Sequence, residues 1–253
     1  MIGGKMSRSH KSIPKTFRRI AILQPGYLPW LGFFDQMGRS DVFVYHTDVQ
    51  YDKQSWRNRN RIRTKQGWTW LTVPVRIKRH SKDLIEDMRI DNSQNWRKRH
   101  CNLIKESYQK APYFSQYFPF FKDIYSSSWE FLTDLDIYIV DYLIKVLGIE
   151  TKIMLSTQLN LKEKEKTERL IEICKKLGAD VYFSGSAARN YIRKNRFKEE
   201  GIKLEYQDYQ HPVYPQQYEP FIPYMSIIDL LFNHGKESLD IILHRKKWNG
   251  STK

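Results

Sequence analysis

Gln24-Pro25-Gly26-Tyr27-Leu28-Pro29-Trp30-Leu31-Gly32-Phe33-Phe34 follows directly on the apolar run Ile20 to Leu23, and the reading of that junction decides the fold. The run is short, β-branched and aliphatic, as a buried strand is. Pro25 and Pro29 fix their own φ and bias Gln24 and Leu28 towards extended backbone, so the turn is rigid before any ligand arrives. Beyond Pro29, the residues Trp30, Leu31, Phe33, Phe34 and Met37 fall on one face of a helix whose first turn suits the proline. Asp41-Val-Phe-Val-Tyr45 then reads as a second strand. Strand, turn, helix and strand within 20–45 is a β-α-β unit, and ligands of such units collect at the carboxyl end of the first strand.

Further along, Trp68 to Val75 reads as a strand ending near Pro74. A helix starts at Ser93 and passes through Trp96, His100, Leu103 and Ile104, and helical periodicity fills 115–147 up to Gly148. Lys152 to Ser156 is a short strand, 164–177 a helix stopped by Gly178, and Asp180 to Ser184 a strand that enters the turn Gly185-Ser186-Ala187-Ala188. Leu204 to Gln210 is a last strand candidate and Ser226 to Phe232 a closing helix. The alternation predicts an α/β fold with a three-layer, mostly parallel, Rossmann-like sheet and a helical lobe in the middle of the chain, about 94–150. No repeat or linker divides the chain, so a single domain over 20–243 is expected between a disordered basic tail, 1–19, and a basic C-terminal tail, 244–253.

Charge is distributed unevenly along the 253 residues, whose 43 Lys and Arg against 28 Asp and Glu give a net +15. Lys5, Arg8, Lys11, Lys15, Arg18 and Arg19 supply six of these charges, and Arg245, Lys246, Lys247 and Lys253 four more. Residues 51–105 carry fifteen Lys and Arg against five Asp and Glu, which predicts one strongly positive face. Two cysteines, Cys101 and Cys174, do not form a disulfide framework. With no apolar run of membrane-spanning length and no secretory h-region, the sequence reads as cytoplasmic, with no membrane span.

Three constellations carry candidate chemistry. Asp48 and Gln50 come first after the second strand, ahead of Trp56-Arg57-Asn58-Arg59-Asn60-Arg61. In an extended segment Arg57, Arg59 and Arg61 point one way and Asn58 and Asn60 the other, and a row of guanidinium groups suits phosphate or carboxylate. A solvated basic loop is the competing account of the same letters. Ser184, Gly185 and Ser186, with Arg189 for countercharge, have the composition of an anion cradle at a helix start, or of a simple N-cap. His100 and His211 are the acid/base candidates, each with a structural histidine as the alternative. No His or Cys spacing matches a metal site, so no metal ligands are expected. GxGxxG, GxxxxGK[ST] and GxSxG are all missing, which removes the usual signs of a dehydrogenase, a P-loop kinase and an α/β-hydrolase.

Gln24-Pro-x-Tyr-Leu-Pro-Trp-Leu-Gly-Phe-Phe, Asp41-Val-Phe-Val, Asp48-Val-Gln-Tyr, Ser55-Trp-x-Asn-Arg-Asn-Arg-Ile and Val181-Tyr-x-Ser-Gly together resemble the WbqC-like protein family. The resemblance runs from Ile20 to Phe232 and takes in Trp96 with His100, Ala111-Pro112, His211-Pro-x-Tyr and Ser226-Ile-Ile-Asp229. Members are similar to proteins of bacterial surface-polysaccharide gene clusters. The resemblance implies transfer of a glycine-like acyl or aminoacyl group to an amino-sugar precursor in O-antigen synthesis. Asp48, His100 and His211 are then the catalytic candidates. Gln24, Tyr27, Trp30, Gln50, Trp56, Asn58, Arg59, Asn60, Arg61, Ser184, Gly185, Ser186 and Arg189 are the substrate-binding ones. No cofactor is detectable. A phosphate-bearing donor, whether a nucleotide, coenzyme A or an aminoacyl-tRNA, fits the charge, as does an anionic substrate such as a nucleotide-linked sugar. A nucleotidyltransferase using the same crevice and an RNA-binding module using the basic face are the alternatives.

Overall fold

The structure is a computed structural model that describes residues 17–52, 56–77 and 83–245. Most of both predicted basic tails therefore lies outside the described residues. Arg18 and Arg19 lie inside the fold, with their backbone N–H groups donating to Asp180 and Asp41 at 2.9 and 2.7 Å.

Strand β1 (Arg19–Leu23) leads through the proline turn to helix α1 (Leu31–Gly38) and strand β2 (Val42–Tyr45), the predicted β-α-β unit. Pro29 sits just before the helix, whose N-cap is Trp30. The chain then forms an antiparallel hairpin, β3 (Arg59–Thr64) and β4 (Gly67–Thr72), and a lobe of three helices, α2 (Trp96–Tyr108), α3 (Phe114–Ser126) and α4 (Leu132–Leu147). Gly148, at φ +73°, closes α4 in the left-handed conformation that glycine adopts without penalty. Strand β5 (Lys152–Leu155), helix α5 (Lys166–Lys176), strand β6 (Val181–Ser184), helix α6 (Lys194–Glu199) and strand β7 (Lys203–Tyr206) follow, and α7 (Ile227–His234) and α8 (Ser238–Ile242) complete the described chain.

Five strands form one all-parallel sheet in the order β5-β2-β1-β6-β7. The strand alternation builds its two faces. Ala21, Phe43 and Tyr45, with Leu23, Ile153 and Leu155, pack against α1, the helical lobe, α7 and α8. Ile20, Ile22, Val42, Val44 and Tyr182, with Met154 and Leu204, pack against α5 and α6. Cys174 is buried in this second layer as a free thiol, where a small apolar side chain is wanted. The predicted three-layer α/β fold with its central helical lobe is therefore the observed one.

The hairpin departs from expectation. It forms a separate two-stranded sheet, with six registered pairs from Arg59↔Thr72 to Thr64↔Gly67, and does not extend the main sheet. Ile62 and Leu71 are fully buried on its inner side. Its Arg63, almost wholly enclosed, donates to the carbonyls of Thr64, Gly67, Tyr218 and Pro220. Arg63 N–H donates to Tyr108 Oη, which in turn donates to buried Asp229. Tyr214 and Gln216 donate to the same carboxylate. Hairpin, lobe, late loop and α7 are tied together through one buried acid, whose burial lifts its pKa to about 6.

Candidate functional site

Chain order along the sheet reverses between β1 and β6: β2 and β5 are laid down on one side of β1, β6 and β7 on the other. At such a switch point the loops leaving adjacent strands diverge to opposite faces and leave a crevice beyond the carboxyl ends. A crevice of about 760 Å³ lies there, lined by Leu23 and Gln24 at the end of β1, His46, Val49, Gln50, Tyr51 and Asp52 after β2, and Ser184, Gly185, Ala187 and Ala188 at the end of β6. Arg57 and, from the α5 side, Lys164, Lys166 and Arg169 supply its cations, and Tyr191 closes one side.

The proline turn positions this site more than it lines it. Only Gln24 of the turn reaches the crevice, while Tyr27 and Leu28 are fully buried. Tyr27 N–H donates to Arg57 O at 2.9 Å and Asn60 Nδ2 donates to Leu28 O at 2.7 Å. Leu28, at φ +48°, is a left-handed non-glycine residue held by that bond. On the other side Ile227 N–H donates to Pro29 O at 2.9 Å. Pinned between the hairpin and α7, the turn brings Arg57 over the end of β1, where Nη1 donates to Gln24 O and Pro25 O at 3.3 and 3.4 Å. Burial lowers the Arg57 pKa, opposed by the charges of Asp136 and Asp52. Asp136 on α4 is itself wholly buried, and burial lifts its carboxyl well above the usual range, with Arg57 as the opposing charge.

Along the α5 wall, Arg169 pairs with Asp48 and donates through Nε to His46 Nε2 at 3.1 Å. Asp48 also accepts from Ser156 Oγ. Burial alone raises the Asp48 pKa, but the bonds from Ser156 and Arg169 outweigh it and hold the group below its ordinary value. His46, with Nε2 occupied as an acceptor, carries its proton on Nδ1. Burial pushes its pKa down to about 4, Asp48 resisting and Arg169 assisting, so the ring is neutral near pH 7.

Of the residues singled out from sequence, Gln24, Gln50, Ser184 and Gly185 line one crevice, with Asp48 bonded into its wall. Arg57 joins them, parting from Arg59 and Arg61, with which it was expected to align. Arg59 and Arg61 instead stack on tryptophans, Arg59 over Trp70 at 4.7 Å and Arg61 over Trp68 at 5.0 Å. Asn60 does face inward as the alternation required, and Asn58 donates to Val73 O at 2.8 Å within the hairpin. Trp56 is exposed beside this cluster. Trp30 packs on Tyr209 and Tyr224 and covers Gly32, where an added Cβ would sit 2.3 Å from the indole. Ser186 is exposed outside the lining, and Arg189 stacks over Tyr206 at 4.2 Å instead of turning into the crevice.

Neither predicted histidine lines the crevice. His100 is fully enclosed among Tyr27, Trp96 and Tyr125, with Nδ1 2.9 Å from Tyr27 Oη, and burial pushes its pKa down to about 3. His211 donates from Nδ1 to Pro212 O at 2.8 Å and accepts Tyr224 N–H on Nε2 at 3.1 Å, so both nitrogens are spent on its loop. His46 and Arg169 line the crevice instead. The usable signal for His46 was its position, immediately after the last residue of a core strand. Arg169 had none, because only the packing of α5 against the sheet brings it to the crevice.

A doubly wound parallel sheet with a crevice lined by several cations at its switch point defines a three-layer α/β protein. Residues 24–241 match the WbqC-like protein family, and the chain belongs to it. It is also 36% identical over 227 residues to the uncharacterized protein Rv1507c of Mycobacterium tuberculosis, an alignment covering 89% of this chain and 97% of that one. No solved structure matches the chain. Among the described residues no helix is long and apolar enough to cross a membrane.

Proposed function

We propose that the chain is a transferase that holds a phosphate-bearing donor in the switch-point crevice and passes an acyl or aminoacyl group from it to the amine of a sugar precursor. The observation that carries this reading is the set of four cations, Arg57, Lys164, Lys166 and Arg169, around a crevice that among the described residues is lined by one carboxylate, Asp52, with Asp48 paired to Arg169 in its wall. Such a set favours a multiply charged ligand over a neutral one. The Gly185 turn supplies an approach for phosphate oxygens, with φ −65° and no side chain to obstruct it.

In the proposed step the sugar amine attacks the acyl carbonyl, a C–N bond forms, and the bond from the acyl carbon to the carrier breaks with its electron pair leaving on the carrier. The amine loses one proton. Neutral His46 is the acceptor we assign, through Nε2 once the bound anion draws Arg169 Nε away from it, and the ligand's negative charge raises the basicity of the ring from its low value. Asp48, locked by Arg169 and Ser156, orients that pair. His100 and His211 have no part in this proposal, since both are committed to internal bonds. Nucleotidyl transfer is the second reading, supported by the strand order, since doubly wound sheets commonly take nucleotides at such a switch point.

Incubation with nucleotide-linked amino sugars and a panel of acyl donors tests the reading by mass spectrometry. A mass gain on the sugar that disappears in His46→Ala supports acyl transfer. Release of pyrophosphate from a nucleoside triphosphate without acylation supports the second reading, and no product with any pair overturns both.

A further inference from the structure

The hairpin presents a surface that the crevice chemistry does not use. Trp56 and Trp68 are 49% and 44% exposed. They flank Trp70, with ring centroids at 5.3 and 5.7 Å and interplanar angles of 50° and 88°. Arg61 lies among all three indoles, 5.0 to 5.9 Å from their centroids. Its guanidinium makes one hydrogen bond among the described residues, Nη2 to Tyr224 O at 3.2 Å, and no ion pair. Residues 56–72 contain four arginines, one lysine and no acid.

Large indole faces are costly to leave in water, and here they surround the Arg61 guanidinium, which makes one hydrogen bond among the described residues. An apolar protein partner would have to bury the Arg61 charge, and residues 56–72 offer a neutral glycan no carboxylate to accept from its hydroxyl groups. Bases offer π-faces to the indoles, and the adjoining phosphates offer acceptors to the arginines. The tilt between the indoles suits bases splayed out one at a time and excludes a stacked duplex. Trp56 immediately precedes Arg57, a residue of the crevice lining.

We propose that the outward face of the β3-β4 hairpin binds a single-stranded nucleic acid, with bases on Trp56 and Trp68, phosphates on Arg61 and neighbouring cations, and the strand's end directed into the crevice at Arg57. The stacking surface stands whether or not the transfer reaction does.

Fluorescence anisotropy of the full chain with labelled oligo(U) and oligo(dT) octamers, at several salt concentrations, tests it. Single strands bind, and a duplex of equal length and a neutral oligosaccharide do not compete. Trp56→Ala and Trp68→Ala each weaken binding about tenfold. Trp68→Tyr retains most of the affinity, and Arg61→Ala flattens the salt dependence by about one phosphate contact. A preference for oligo(U) assigns RNA; equal affinities assign single strands of either kind. Titration of each variant with uridine diphosphate checks that the crevice is intact, so loss of nucleotide binding and loss of strand binding are separate results. Undiminished strand binding in the Trp56→Ala/Trp68→Ala double variant, absence of binding at low salt, or competition by the oligosaccharide overturns the proposal.

Discussion

Arg169 on α5 and Asp48 beyond β2 form an ion pair along the wall of the crevice, and the same guanidinium donates to His46 at 3.1 Å. Both partners are largely enclosed, with 12% and 19% of their side chains exposed. Removing Arg169 therefore leaves a partly buried carboxylate against one remaining bond. Arg169→Ala is expected to cost about 1–3 kcal/mol in chemical denaturation, because the stranded Asp48 keeps only Ser156. It should also weaken nucleotide binding by about tenfold or more in calorimetry, with Arg169→Lys between the two.

Gly185 separates binding from stability. Its φ is −65°, and a Cβ there would stand 3.7 Å from Gln36 Oε1, an ordinary contact. Gly185→Ala should thus leave the melting temperature nearly unchanged, an effect within about 0.5 kcal/mol. The methyl group nevertheless intrudes where the β6 turn meets the ligand, so affinity for uridine diphosphate should fall. A variant that binds as well as the parent chain would mean that the ligand does not approach this turn.

Strands β1, β2, β5 and β6, helix α5 and the Gly148 stop were legible because each is a local signal: a short apolar run, a 3.6-residue stripe, a glycine at a helix end. The switch point was half legible, since the Gln24 and Gly185 turns could be picked out singly but not placed side by side without the strand order. The hairpin was read as a strand and a basic segment, because its pairing is visible only once Gly67 turns the chain. His100 looked like chemistry on a helix and is core, since whether a helical histidine meets solvent is set by what packs over it, here Tyr27 and Tyr125.

Asn60 holds the proline turn by a side-chain bond to a fully buried residue. Asn60→Ala leaves the Leu28 carbonyl without its 2.7 Å donor and removes the tie that holds a left-handed leucine. A loss of about 1–3 kcal/mol is expected, the range for stranding a buried polar group. Because the turn carries Gln24 and positions Arg57, nucleotide affinity should fall as well. Equilibrium urea unfolding and calorimetry on the same preparation check both.

Histidines make the fold acid-labile. Burial lowers His46, His100 and His211 to about 4, 3 and 4, from an ordinary 6.5, so as pH falls through 6.5 the unfolded chain takes up three protons that the folded chain refuses. Asp229 and Asp136 act in the opposite sense, since burial raises the first to about 6 from 3.8 and lifts the second well above 3.8, so both take up a proton in the folded state first. Near pH 5 three histidines against two carboxyls leave the unfolded state about one proton ahead, and stability should decline by about 1–1.5 kcal/mol per pH unit as pH falls. Unfolding free energies between pH 7 and 4.5 measure the slope. His100→Gln should reduce it by about one proton's worth, and a slope of zero or of opposite sign would contradict the burial of these imidazoles.

In the function proposed above, the crevice at the carboxyl ends of β1, β2 and β6 is the ligand site and its charge selects phosphate. Isothermal titration with uridine diphosphate, on the parent chain and on Lys164→Ala/Lys166→Ala, tests it most directly. Both lysines are near the rim, so their removal leaves the core intact. Saturable binding to the parent, weakened about tenfold or more in the double variant at unchanged melting temperature, is the predicted result. No binding to the parent, or equal binding to both proteins, would contradict the account.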